Sequence, residues 1–207
     1  KIIYKRYGLS HHKTRRIQEN IWHELQNTQQ LCSKSIGNNE YVYISLHYEP
    51  ERNSCPDGYI FYEQVKLISA IRAIIPSDIN LLVKEHPSQT SRARIGYVGR
   101  SSFFYQTVSK MSGVALISSN VDSQLLINGA QFTASLGGTM SLETALIGKK
   151  SIIFGHPWFK GAPNILSFHK SLTYDEIILS ENFSSLDVIN WVSDFIRIYG
   201  FPGIQNP

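Results

Sequence analysis

The sharpest chemical pair in the sequence is Lys84 and His86, set two residues apart in Lys84-Glu85-His86-Pro87 at the end of an apolar run. On an extended strand, residues two apart share a face, and Pro87 turns the chain so that both side chains reach one crevice. An ammonium and an imidazole N–H are suitable donors to a diphosphate or phosphodiester. The same residues also fit a solvated Lys84–Glu85 pair followed by a turn histidine. The second cluster is Gly137-Gly138-Thr139, which opens a helix directly after a strand. Glycines let backbone N–H groups approach a phosphate, and Thr139 or Ser141 adds a hydroxyl. This is neither a Walker loop nor the complete dinucleotide fingerprint, and a tight strand-to-helix turn needs small residues equally. Glu143, expected in the first turn of that helix, suits ribose hydroxyls or the positive end of the helix dipole. Glu49 and Glu51 fit base or sugar contacts, and equally surface charge. Ser118-Ser119-Asn120 completes a rim of small polar residues at successive strand ends.

Other chemistries are disfavoured. His47, His156 and His169 lack the spacing of metal ligands, and His11-His12 belongs to a leading linker. No HExxH pattern or Ser-His-Asp constellation stands out, and Cys55 has no evident activating base. Trp158, Phe159 and Trp191 read as core or lid aromatics before sugar platforms. The two cysteines, Cys32 and Cys55, make no disulfide framework, which fits a reducing cytoplasm. A net charge of +4 without a block of like charges suits an anionic substrate or a membrane surface and argues against nucleic acid. No apolar run reaches the roughly 18 residues of a membrane span. The chain begins at Lys1 without an initiator Met or signal peptide, which is expected of a piece of a longer polypeptide.

The elements that must position these residues follow from hydrophobic periodicity. Strands are expected at Tyr41–Leu46, Ile79–Lys84, Val114–Ile117, Gln131–Ser135 and Ser151–Phe154. Helices are expected at Ile60–Ile75, Ser101–Met111, Asp122–Gly129, Thr139–Ile147 and Leu186–Tyr199. Asp122 is placed as an N-cap and Gly148 as a C-cap. Strands alternating with helices, several apolar on both faces, indicate an α/β domain with a doubly wound, Rossmann-like parallel sheet. Such sheets bind ligands beyond the carboxyl ends of their strands, where all the polar clusters fall. Residues 1–40 read as a linker with a leading helix, 41–182 as the nucleotide-binding domain, and 183–207 as a terminal helix and tail.

Taken in order, Tyr48-Glu49-Pro50-Glu51, Lys84-Glu85-His86-Pro87, the stretch from Gly137 to Lys150, Ser151-Ile152-Ile153-Phe154-Gly155 and Trp158-Phe159 resemble the capsule polysaccharide biosynthesis family. That family includes bacterial β-Kdo transferases, and the resemblance runs from about Tyr41 to Asn164. It implies the C-terminal, donor-binding half of a two-domain GT-B glycosyltransferase, with CMP-Kdo as donor substrate and no cofactor or metal. His86-Pro87 would bind the CMP phosphate with help from Lys84. Gly138 and Thr139 would approach the phosphate or nucleotide, and Glu143 would face the ribose. Implied partners are a glycolipid or polysaccharide acceptor and an N-terminal acceptor domain, with peripheral contact at the inner membrane face. The terminal helix would cross back to that domain. A CDP-glycerol-dependent transferase of the teichoic-acid type, a UDP-sugar GT-B enzyme and a noncatalytic nucleotide-binding module remain the alternatives.

Overall fold

The computed structural model describes residues 20, 23–24, 26–30, 40–50, 58–91 and 96–200. The described residues before Glu40 are helical; the rest of the expected linker, Glu51, both cysteines and the tail from 201 lie outside these limits.

Six short runs form one sheet: β1 (Tyr41–Ser45), β2 (Asn80–Lys84), β3 (Val114–Ile117), β4 (Thr133–Ser135), β5 (Ser151–Ile153) and β6 (Ile165–Ser167). Their spatial order is β3-β2-β1-β4-β5-β6, and every neighbouring pair is parallel. The chain therefore builds outward from β1 to β3, returns past β1, and builds outward again from β4 to β6. This is the strand order of the Rossmann fold, with its topological switch point between β1 and β4.

The side-chain alternation of the strands divides the core. Val42, Ile44, Leu81, Val83, Val114 and Leu116 pack on one face with Leu67, Ile68 and Ile71 of α1 (Gln64–Ile74) and Phe104, Tyr105 and Val108 of α2 (Ser102–Ser109). Tyr41, Tyr43, Leu82 and Ile117 point to the other face, against Leu126 and Ile127 of α3 (Ser123–Gly129) and Met140 of α4 (Thr139–Leu146). Period-two alternation with apolar residues on both sides is what a sheet covered by helices on each face requires. The register Ile44↔Val83 and Tyr43↔Leu82 keeps each set on its own face across strands.

Local chemistry fixes the helix ends. Asp122 caps α3, its Oδ1 accepting from Gln124 N at 3.0 Å. Thr173 and Ser184 form capping boxes with Glu176 and Asp187 at the starts of α5 (Tyr174–Leu179) and α6 (Ser185–Tyr199). Gly148, just past α4, has φ +77°, a left-handed conformation that glycine adopts without penalty. Along α6, Val188 is buried in a cluster with Ala145 and Ile153, and Trp191 packs against it. This part of the terminal helix thus rests on α4 and β5 of its own domain. Among the described residues, no helix is long and apolar enough to cross a membrane.

Candidate functional site

Beyond Ser45, β1 runs into Leu46, His47 and Tyr48. The backbone of His47 is clamped from both sides: its N–H donates to Gln64 Oε1 at 2.7 Å, and its carbonyl accepts from Gln64 Nε2 and Arg100 Nη2, each at 3.1 Å. Arg100 is itself buried. It donates through Nε to Glu85 Oε2 at 2.8 Å, lies 3.5 Å from Glu49 Oε1, and stacks over the Phe104 ring. Tyr105 Oη donates to the same Glu85 oxygen at 2.9 Å, and burial pushes that phenol's pKa up. Glu85 is 1% exposed, so it is a paired core carboxylate and not part of a solvated lysine–glutamate pair.

Lys84 projects from β2 to the opposite face, where its Nζ donates to Ser123 Oγ at 2.7 Å. Burial lowers its pKa, opposed by the Asp122 carboxylate. After it, the chain leaves the strand, and His86 begins a 3₁₀ turn over Pro87–Thr90. His86 Nδ1 accepts from Ser88 N at 3.1 Å, which leaves the proton of the neutral ring on Nε2.

On the other side of the switch point, β4 passes through Leu136 into Gly137 and Gly138, and Gly138 is the N-cap of α4. Gly138 N donates to Ser135 Oγ at 3.1 Å, and Ser135 Oγ lies 2.8 Å from Ser141 Oγ. Ser141 is fully buried beneath the turn and holds its shape. Ser141 N, the third amide of α4, donates to the Gly138 carbonyl at 3.0 Å, while Thr139 and Met140 open the helix at the positive end of its dipole. A Cβ built on Gly138 would stand 3.4 Å from His47 Nε2, so the imidazole faces the start of the helix across a small gap.

These walls enclose a crevice of about 330 Å³ at the switch point, within the size range of small-ligand sites. Its lining includes His47, Tyr48, His86, Ser123, Thr139 and Glu143. The lining also takes in Pro87 and Gly138. Glu143 Oε2 accepts from Gln124 Nε2 at 3.2 Å. As the fifth residue of α4 it lies beyond the first turn, where it had been expected, and the helix dipole acts on it only weakly.

His47 is the main residue that sequence reasoning passed over. It is 8% exposed, and its Nε2 is buried without a hydrogen-bond partner. Burial, reinforced by His86 and Arg100, lowers its pKa to about 4, so the ring is neutral at physiological pH. The signal available was its position at the end of the central strand beside the switch point; metal spacing was the wrong filter.

The structure thus gathers His86, Pro87, Gly138, Thr139 and Glu143 around one opening, with Lys84 contributing through Ser123. Other expected positions lie elsewhere. Gly137 lines a second cavity of about 290 Å³ with Gly155, His156, Pro157 and Trp158, on the far side of Gly138 and Thr139. Ser118 and Ser119, past β3, line neither cavity. Glu49 turns to Gln64 and Arg100 and borders a separate groove. No group of three His, Cys, Asp or Glu among the described residues is arranged to hold a metal ion.

The strand order and the crevice define a Rossmann-like α/β domain with an anion-compatible site at its switch point. No protein-family model matches the sequence, and neither does any curated protein. Among solved structures, the chain is similar to two β-Kdo transferases named KpsC from Thermosulfurimonas dismutans. The 2,7 transferase is 13% identical at TM-score 0.48, with 86% of this chain and 61% of that chain covered. The 2,4 transferase is 16% identical at TM-score 0.48, covering 89% and 64% respectively. The UDP-GlcNAc 2-epimerase of Methanocaldococcus jannaschii is 12% identical at TM-score 0.40, covering 84% of this chain and 44% of its own. The chain therefore spans less than two thirds of the length of each of these. The fold assignment rests on the strand order and the parallel pairing, not on these likenesses.

Proposed function

We propose that the crevice between the ends of β1 and β4 binds the phosphate-bearing part of a nucleotide-sugar donor, and that the chain is the donor-binding part of a glycosyltransferase. The observation that carries this reading is the meeting of three anion-compatible features in one opening: the α4 N-terminus, His86 with its Nε2–H, and His47. Helix N-termini favour phosphates through unpaired amides and the dipole together. Glu143, on the same wall, accepts hydrogen bonds from ribose hydroxyls. The resemblance of these segments to the capsule polysaccharide biosynthesis family supports CMP-Kdo as the donor and a lipid-linked or polysaccharide glycan at the membrane's cytoplasmic face as the acceptor.

In this reading the domain acts by orientation and water exclusion, holding the donor phosphate while an acceptor is brought to the anomeric carbon. The leaving CMP phosphate is stabilised by the amides and imidazole that bound it in the ground state. The test is calorimetric titration of the chain with CMP, UMP and AMP. A preference for CMP supports the assignment. Equal affinities remove the cytidine specificity, and no binding of any nucleotide removes the donor-site reading. Transfer itself is tested on the longer polypeptide with CMP-Kdo and Kdo-terminated glycolipids, with products read by mass spectrometry.

A further inference from the structure

We propose that His47 is a ligand-contacting residue of the crevice and takes up a proton when a phosphate or similar oxyanion binds there. This inference rests on the reading of the crevice as a phosphate site and adds the group that completes the charge. His47 Nε2 is a polar atom buried without a partner, on a ring whose backbone is fixed at three points by Gln64 and Arg100. Burying an unpaired polar atom is costly, and the fixed backbone holds the ring at the crevice wall despite that cost. The atom lies beside Gly138, the N-cap of an eight-residue helix, close enough that a methyl group there would touch it. A ligand oxygen seated in the adjoining crevice, which His47, Gly138 and Thr139 line together, meets the helix N-terminus on one side and Nε2 on the other.

The charged groups around the ring fix the direction of proton movement. Burial first, then the electrostatic influence of His86 and Arg100, favours the neutral imidazole. Glu143, from α4, lines the same opening, and Lys84 is directed to Ser123 on its floor. An arriving oxyanion reverses the local potential, and the imidazolium that forms donates Nε2–H to it. The proton comes from solvent, and no covalent bond is made or broken. Binding is therefore tightest at the lower end of the pH range in which the protein stays folded.

The decisive measurement is NMR of the chain labelled with ¹⁵N-histidine near pH 6.5, without ligand and with saturating CMP or sulfate. Sulfate has no proton of its own to exchange in this range. The His47 resonances are assigned by their loss in His47→Gln. The expected result is a neutral ring in the free protein and an imidazolium signature with either ligand. Gly138→Ala, which has an ordinary φ of −74° and only van der Waals contacts at its new methyl, should fold and lose most of the affinity for both ligands. His47→Gln should bind roughly tenfold or more weakly, the loss of one charge-assisted contact. A His47 that stays neutral with ligand bound overturns the inference while leaving the donor-site reading intact. Undiminished binding by Gly138→Ala places the ligand elsewhere and overturns it as well. No binding of CMP or sulfate by the parent chain overturns both readings.

Discussion

Lys149 and Lys150 are chain neighbours that close two helices on opposite faces of the sheet. Lys149 Nζ donates to the carbonyls of Ile127, Asn128 and Ala130 at the end of α3, and Lys150 Nζ to those of Ile178 and Ser180 at the end of α5. Residues that lead into β5 alternate across it, so two consecutive lysines satisfy orphan carbonyls on both sides of one strand. A cation at a helix C-terminus also meets the negative end of the dipole.

Replacing either lysine by Met should destabilise the fold by about 0.5–1.5 kcal/mol, since partly buried helix-end carbonyls lose charged donors. The two networks share no partner, so the losses should add to within about 0.5 kcal/mol. Urea denaturation of both single variants and the double variant checks this. A double variant no worse than one single would show that the two networks are coupled.

Arg100→Met should cost about 3–5 kcal/mol, because it leaves Glu85 buried without its cation and releases the His47 carbonyl. Nucleotide binding should fall with it, although Arg100 does not line the crevice. Glu49→Gln should have a smaller effect on stability, since Glu85 still pairs with the guanidinium. Denaturation midpoints and CMP titrations of the two variants give the comparison.

His86→Asn separates ligand contact from folding. Asparagine is a good cap and can replace Nδ1 as acceptor from Ser88 N, but it is too short to present the Nε2–H. Binding of CMP should weaken by about 1.5–3 kcal/mol with little change in melting temperature. Glu143→Gln should weaken CMP binding and leave inorganic phosphate unaffected. Equal loss for both ligands would move Glu143 from the ribose to the phosphate.

Stability should fall as acid is added, and His47 should account for part of the fall. Its pKa is about 4 when folded against 6.5 for the free side chain. Between those values the unfolded chain binds a proton that the folded chain refuses, so stability rises with pH across this window. The contribution is complete above pH 6.5 and is lost progressively toward pH 4, amounting to about 3 kcal/mol. Urea titrations at pH 7.0, 5.5 and 4.5 should show a shallower dependence for His47→Gln than for the parent chain. Parallel curves would place the acid sensitivity elsewhere.

The alternation of strands and helices was legible because Tyr41–Ser45, Asn80–Lys84 and Val114–Ile117 are apolar on both faces and bounded by polar turns. Strand β6 was not, because Ile165–Ser167 is three residues long and becomes a strand only by pairing with β5. The expected helix from Ile60 divides at Glu63, where ψ is 85°, into a 3₁₀ turn over Tyr59–Tyr62 and the α1 helix. Apolar spacing carries no mark of such a break. That His86, Gly138, Thr139 and Glu143 share one crevice was legible from their positions at strand ends and on the helix that follows β4. Glu85 and Arg100 were not recognised as partners, since their pairing joins residues from different loops. The same limit hid His47, whose significance depends on what fails to reach its Nε2.

The switch point also bears on the order of folding. The β1–β2–β3 half with α1 and α2 is contiguous in sequence, whereas the crevice needs β4 to return and pair Tyr43 with Thr133. Such distant pairing bears a loop-closure cost and tends to slow folding. A partly folded chain holding only the first half has His47 and His86 but no α4 to oppose them. A ligand that requires both walls stabilises the native state alone. If β4 docks after the rate-limiting barrier, saturating CMP should slow unfolding and leave refolding unchanged, which stopped-flow measurement in both directions resolves. Acceleration of refolding by CMP would mean that the two halves of the sheet are already joined at the barrier.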